Sequence, residues 1–334
     1  MATDSLAFIL CTPRSGSTLL QRMLGAHSQI YTHPEPHLLT PLYYGGYFAN
    51  VDAAPYDHIN AGAALRELCE ELPRGEEDYL DALRAYARTV YDRVREPTGL
   101  PIFLDKTPAY GLVASFVAKL FPNARFVVLT RHPMAIWHSQ AHSFFGGDYR
   151  AALETNPLVE PYLASLGQFL REKPVDFVHV RYEDLVSEPE THMRRILSAW
   201  DLPFEPNTVE YGNAKHISKS YGDPMSVEKH RRPVVSSREA WASDLKSRPD
   251  ALATARALIK RCNPEDLAAW GYPLDSFWDA LGEADERATN PLSRFNSYWL
   301  KRQVLLGLRR NIGDNALGNT VRRVRYYCDV LLRS

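Results

Sequence analysis

The sequence predicts an α/β protein of three layers, a central and mostly parallel sheet with helices on both faces. Three observations carry this expectation. Short apolar runs alternate along the chain with segments of helical period. The runs are apolar throughout, as strands covered on both faces are. The first run also passes through a tight glycine-containing loop directly into a helix.

Taken in order, Leu6 to Cys11 is the first strand. It stops at Thr12-Pro13-Arg14-Ser15-Gly16-Ser17-Thr18, after which Leu19, Leu20, Met23 and Leu24 recur at helical spacing. Gln29 to Thr32 is a short extended piece, followed by a Pro-rich loop from His33 to His37 and a Tyr/Gly-rich loop from Tyr43 to Tyr47. Helices are expected over about 61–72 and 77–95. Pro101 to Asp105 reads as a buried strand leading into a helix that runs to about Leu120. Arg125 to Thr130 is the next strand, and a helix begins near Pro133. Residues 148–171 read as mostly helical, Asp176 to Arg181 as a strand and Glu188 to Trp200 as a helix. Neither an internal repeat nor a low-complexity tract interrupts this alternation.

Composition narrows the class. A chain of 334 residues buries one large core, or one core with an appendage. With 45% apolar and 24% charged residues it has the balance of a soluble globular protein. Cys11, Cys69, Cys262 and Cys328 are far apart, with no Cys-x-x-Cys pair, so neither a disulfide framework nor a zinc site is expected. No apolar stretch approaches the roughly 18 to 20 residues that span a bilayer. The N-terminal run is too short for a signal peptide and carries Asp4, which makes a cytoplasmic, reduced location the expectation.

The near-neutral total conceals an asymmetry. From Arg287 onward there are ten Lys or Arg against two acids, Asp314 and Asp329, a net charge of +8. The preceding residues carry 29 basic against 38 acidic side chains. Apolar residues lie among these arginines at spacings of three and four, as in helices with one apolar and one basic face. The bland reading packs these helices on the core and leaves their arginines in water. The sharper one docks an anionic membrane surface or an acidic carrier protein. Nucleic acid is not expected as a partner, because the rest of the chain is acidic and no nucleic-acid motif appears.

The segment from Thr12 to Thr18 is a phosphate loop with one part changed. A strand, a glycine loop and a helix N-terminus present backbone N–H groups to an anion. An ATP- or GTP-binding loop needs a Lys before the final Ser or Thr. Here the nearest cation is Arg14, two residues before Gly16, which disfavours a mononucleotide kinase. In such sheets the ligand sits beyond the carboxyl ends of the strands. Those ends carry Arg14, Glu35, Lys106, Arg131 and Tyr182: three cations, a carboxylate and a phenol.

At these residues the chain resembles a known family. Thr12-Pro-Arg-Ser-Gly-Ser-Thr18 is similar to the 5′-phosphosulfate loop of sulfotransferases that use 3′-phosphoadenosine-5′-phosphosulfate (PAPS). Arg125-Phe-Val-Val-Leu-Thr-Arg-His-Pro-Met-Ala-Ile-Trp-His-Ser139 resembles their 3′-phosphate motif, an Arg at a strand end followed eight residues later by a Ser. The resemblance runs from about residue 6 to residue 275 and is closest to the branch with Arg in the first loop, which includes tyrosylprotein sulfotransferases. Glu35-Pro-His-Leu-Leu39 and Leu104-Asp-Lys-Thr-Pro-Ala-Tyr110 also look like the sulfotransferase domains of some polyketide synthases.

The resemblance implies a P-loop-like fold over 1–275, with 276–334 as a basic, helical addition, and PAPS as co-substrate without a metal. Pro13, Arg14, Ser15, Gly16, Ser17 and Thr18 would hold the phosphosulfate end, and Arg131 with Ser139 the 3′-phosphate. Tyr182 would lie beside the nucleotide, and Ser218 and Arg232 would fold over it. Glu35, 21 residues after Arg14, is the implied base for the acceptor hydroxyl, with Arg14 and Lys106 stabilising the leaving phosphate. His37 falls at a substrate-contacting position and is the rival base. His132, His138 and His142 lie near one helix, but no carboxylate or Cys accompanies them at ligand spacing, so packing is expected over metal binding. Trp137 and Trp200 are expected to be packing residues. The acceptor stays open among small-molecule, lipid, polyketide, sugar and peptide hydroxyls. The Tyr/Gly stretch and the aromatic segment His142 to Gly146 suggest a partly apolar pocket for it. A nucleotide kinase and a non-catalytic nucleotide-binding protein stay open as alternatives.

Overall fold

Successive residues of a strand point to opposite faces of its sheet, and here both faces are apolar. Leu6, Phe8 and Leu10 enter one buried cluster, while Ala7, Ile9 and Cys11 enter another. Such a strand is stable only between two helical layers. The computed structural model, which describes residues 4–45, 58–213, 231–234 and 239–282, shows them.

In chain order the elements are β1 (Leu6–Cys11), α1 (Ser17–Gly25), β2 (Ile30–Pro34), α2 (Leu39–Tyr44), α3 (His58–Glu70), α4 (Glu76–Arg95) and β3 (Ile102–Lys106). Then come α5 (Ala114–Leu120), β4 (Arg125–Thr130), α6 (Pro133–Phe144), α7 (Tyr149–Thr155), α8 (Val159–Glu172) and β5 (Val178–Arg181). The described chain continues with α9 (Tyr182–Ser187), α10 (Pro189–Ala199), α11 (Ala240–Lys246), α12 (Pro249–Arg261) and α13 (Pro264–Ala269). The strands form one sheet in the order β2-β3-β1-β4-β5, and every described pairing is parallel. The expected mostly parallel sheet is therefore wholly parallel among the described residues.

The side chains of α1, α9 and α10 cover one face of the sheet; those of α4, α5, α6, α8 and α12 cover the other. The break in strand order at β1, between β3 and β4, is the topological switch point where such sheets open a crevice. The glycine loop from Thr12 to Gly16 leaves β1 at this point.

Some boundaries differ from expectation. The Tyr/Gly-rich segment is helical up to Tyr44 rather than a loop from Tyr43. Lys106 is the last residue of β3, not the residue after it. The predicted helix after β3 begins as a 3-10 turn over Pro108–Leu112 before α5. The helical stretch 148–171 is two helices, α7 and α8, and α9 starts directly from β5 where no helix was expected. Trp137 and Trp200 are buried packing residues, as expected. Ser218, Cys328 and the basic segment from Arg287 lie outside the described residues.

Candidate active site

The loop between β1 and α1 is closed by a hydrogen bond from the Ser15 N–H to the Thr12 carbonyl, 3.2 Å. Gly16 caps α1 at φ 87°, and its carbonyl accepts from the N–H groups of Leu19 and Leu20. A Cβ on Gly16 would sit 2.4 Å from Tyr182 Cδ2, so both the backbone angle and the ring above it require glycine. Arg14 also has positive φ, 68°, a cost that a non-glycine residue bears only when its surroundings hold it there. The first N–H groups of α1 have no intrahelical acceptor and lie at the positive end of the helix. Thr12 Oγ1 is buried without a hydrogen-bond partner, a polar atom that the protein itself leaves unsatisfied.

The β4–α6 turn is joined to this loop. Arg131 is buried at the end of β4, and its Nη1 donates to the Arg14 carbonyl at 3.0 Å. Its guanidinium lies 4.3 Å from the Tyr182 ring centroid. Arg14 in turn donates from Nε to Ser139 Oγ at 3.2 Å and from Nη2 to Ser143 Oγ at 2.8 Å, both on α6. The sequence places Arg14, Ser139 and Arg131 up to 125 positions apart, and the fold brings them into one cluster with Gly16 and Tyr182. The Arg14 guanidinium is thus directed to α6, beside the predicted 3′-phosphate residues, and also approaches the Phe144 ring at 5.2 Å. Phe144 is exposed, whereas Tyr43 packs on Phe116.

His132 fixes the start of α6. Its Nδ1 accepts from the Met134 N–H at 3.2 Å, so Nε2 carries the proton that Phe277 O receives at 3.0 Å. The ring stacks on Trp241. Burial holds its pKa down to about 4, because protonating Nδ1 would charge a buried ring and remove the cap. Glu183 accepts from the His132 N–H through Oε1 and from the Tyr272 hydroxyl through Oε2. Nothing in the local sequence marks Glu183 beyond its place after a strand end, whereas Ser143 and Phe144 lie in the aromatic segment His142 to Gly146.

The second cluster lies at the ends of β2 and β3. Lys106 is 1% exposed, and its Nζ donates to Glu35 Oε1 at 2.6 Å, with Thr18 Oγ1 at 3.5 Å. The pair thus reaches the first turn of α1. Glu35 Oε2 lies 3.8 Å from Nε2 of the half-exposed His37. Glu35 and His37 both have positive φ, 22° and 52°. Five sequence-predicted residues, Glu35, Lys106, Thr18, Arg14 and Arg131, therefore border the same sheet edge.

Arg232 is exposed, with its guanidinium 3.7 Å from Glu210. The three histidines do not form one group. His132 is the helix cap just described, whereas His138 and His142 gain a carboxylate from α11. Asp244 Oδ2 accepts from His142 Nε2 at 3.0 Å and from the Tyr149 hydroxyl at 2.8 Å. The ligand atoms of His138, His142 and Asp244 lie within 4.8 Å of one another. Arg248 Nε stands 3.2 Å from Asp244 Oδ1, so both carboxylate oxygens are engaged and a cation already occupies the carboxylate. The carboxylate is a hundred residues away in sequence, which is why spacing could not reveal it.

A parallel α/β sheet with a glycine loop at its switch point, and with cations at neighbouring strand ends, is the architecture of the P-loop-like class. The family model described as "Sulfotransferase family" matches residues 7–206, more than half of the chain, and the chain belongs to this family. It is 28% identical over 268 residues to the nodulation protein NoeE of Sinorhizobium fredii, covering 72% of this chain and 60% of that protein. It is 26% identical to a protein-tyrosine sulfotransferase of Drosophila melanogaster, covering 69% of this chain and 44% of that one. The chain therefore spans less than two thirds of the length of these relatives. A solved sulfotransferase domain from the Synechococcus PCC 7002 olefin synthase superposes on 72% of the chain and 88% of that domain, at 24% identity and a TM-score of 0.48. Among the described residues no helix is long and apolar enough to cross a membrane.

Proposed function

We propose that the protein transfers the sulfuryl group of PAPS to the hydroxyl of an acceptor. The observation that carries this is the pairing of buried Lys106 with the partly buried Glu35 at the first turn of α1, facing a loop whose other side meets Arg131 and Ser139. The loop N–H groups with the Ser17 and Thr18 hydroxyls would hold the phosphosulfate, and Arg131 with Ser139 the 3′-phosphate. Glu35 would take the acceptor's proton as the acceptor oxygen bonds to sulfur. The bond between sulfur and the bridging oxygen breaks, its electron pair stays on the 5′-phosphate, and Lys106 offsets the charge that develops there. Arg14 is assigned the same role, reached by leaving α6. His37 would contact the acceptor, whose class is a small-molecule, lipid, polyketide or sugar hydroxyl. No step in this scheme requires a metal.

The donor assignment is tested by calorimetry with adenosine 3′,5′-bisphosphate, AMP and ATP. Arg131→Ala should weaken the bisphosphate by about 1.5 to 3 kcal/mol, as a charge-assisted contact does, and leave AMP unchanged. Equal weakening of both would make Arg131 structural. Preference for ATP with magnesium over the bisphosphate would turn the reading to a phosphotransferase.

Residues 1–275 are proposed as the catalytic domain, and the basic segment beyond them as a docking element for an anionic membrane surface or an acidic carrier protein. The net charge of +8 over residues 287–334 supports this. A chain ending at Glu286 should bind the bisphosphate normally and lose salt-sensitive binding to vesicles containing phosphatidylserine or to an acyl carrier protein. Unchanged binding to both would remove the docking role, and an insoluble product would mean that the segment packs on the core.

A further inference from the structure

Asp105 is fully buried, yet it is not part of the cleft. It sits on β3 next to Lys106 and, by strand alternation, on the opposite face of the sheet, toward α4. Three hydroxyls donate to its carboxylate: Thr107 to Oδ1 at 2.8 Å, and Tyr91 and Tyr110 to Oδ2 at 2.7 and 3.1 Å. Two of these hydroxyls are themselves acceptors. Thr107 Oγ1 receives the His37 N–H at 3.4 Å, and the Tyr110 hydroxyl receives the Leu39 N–H at 3.0 Å. Both chains run the same way, from a backbone N–H through a hydroxyl to one buried carboxylate. Both start in the segment that carries Glu35 and His37, the two residues there with positive φ. Such angles persist only where the surroundings over-determine them.

We propose that Asp105 is a positioning residue: through Thr107 and Tyr110 it holds residues 35–39 in the conformation that presents Glu35 to Lys106 and to the acceptor. Hydrogen bonds to an ionised carboxylate are the stronger kind, and a polarised hydroxyl accepts more strongly in turn. The adjacent positions 105 and 106 thus serve the cleft from both faces of one strand. Lys106 meets the Glu35 carboxylate, and Asp105 holds the backbone around it. The functional consequence rests on the reading of Glu35 as the base; the geometric one does not.

Tyr91 provides the internal control. It donates to the same carboxylate oxygen as Tyr110 and its hydroxyl adjoins that of Tyr110, but it comes from α4 and makes no direct hydrogen bond to the 35–39 segment among the described residues. The experiment compares the full-length Thr107→Val/Tyr110→Phe variant with Tyr91→Phe, with Thr107→Ser/Tyr110→Phe as partial rescue. Hydrogen exchange is followed over residues 35–44, and release of adenosine 3′,5′-bisphosphate from PAPS with water as acceptor is measured alongside. The Val/Phe variant should exchange the His37 and Leu39 amides at least tenfold faster and release product about tenfold more slowly, with bisphosphate affinity unchanged. Restoring the position-107 hydroxyl should recover His37 protection alone. Tyr91→Phe should change neither rate, even if it lowers the melting temperature as much. Equal effects of Tyr91→Phe on exchange and turnover, or no faster exchange in the Val/Phe variant, overturn the inference. Faster exchange in that variant, combined with wild-type product release in Glu35→Gln, would uphold the positioning role and reject Glu35 as base.

Discussion

An ammonium as deeply buried as that of Lys106 is tolerated only beside a counter-charge, and Glu35 supplies it at 2.6 Å. The proposed base is therefore also a structural partner, and a single substitution mixes the two roles. Glu35→Gln should lower turnover by a factor of roughly 10² to 10⁴. It should also cost stability, because it leaves Lys106 charged and uncompensated. Lys106→Gln combined with Glu35→Gln removes the stranded charge, so thermal melting should recover toward wild type while turnover stays low. If turnover recovers along with stability, Glu35 acts through folding alone and the base is His37 or the acceptor itself. The types and order of these residues were legible in the sequence, because each stands at a strand end. Their pairing was not. Nothing local says that Lys106 faces α1 while Asp105, one position earlier, faces α4, until the register of β3 between β1 and β2 is known.

Elements were legible to the degree that their signals were local. β1 is a six-residue apolar run and β4 is built on the apolar run Phe126 to Leu129; each ends in a proline turn or loop, and their boundaries followed directly. α9 escaped notice because it leaves β5 without a turn residue, its first helical position being Tyr182. α6 shows how an element carries the site. Its N-cap is an imidazole, held by Trp241, Phe277 and the Met134 N–H, and the helix beyond it sets Ser139 and Ser143 against Arg14. His132→Ala should destabilise the fold by about 2 to 4 kcal/mol, from a lost cap and a cavity under Trp241, and weaken bisphosphate binding as α6 frays. His132→Asn keeps a capping acceptor without the ring. It should recover most of the nucleotide affinity and only about 1 kcal/mol of the stability, the usual worth of a cap. Chemical denaturation and calorimetry on both variants check this; full affinity in His132→Ala would show that α6 does not depend on its cap.

Over the whole molecule, burial sets how stability responds to acid. His132, His138 and His179 are all held down to about 4, in each case chiefly by burial. Between the ordinary histidine value of about 6.5 and 4, the unfolded chain binds protons that the folded chain refuses, so stability falls as pH falls through this window. Asp105 opposes this. Burial raises its carboxyl to about 6, so below that pH the folded chain takes a proton before the unfolded one does, and stability is gained. Asp244 and Glu205 lie below the ordinary carboxylate range, held there by His142 and by Ser28 respectively, and their contribution is lost on acidification, in the same direction as the histidines. Three histidines against one aspartate leave a net uptake of roughly two protons on unfolding near pH 5. Denaturant melts from pH 7 to 4.5 should therefore show stability decreasing continuously, with a slope that reports this uptake. His179 bonds the Thr130 hydroxyl at 2.9 Å, a contact that a glutamine side chain can keep without titrating. His179→Gln should thus preserve stability at pH 7 and reduce the proton uptake near pH 5 by about one. An unchanged slope in that variant would mean that His179 titrates normally in the fold, and that the acid sensitivity comes from other groups.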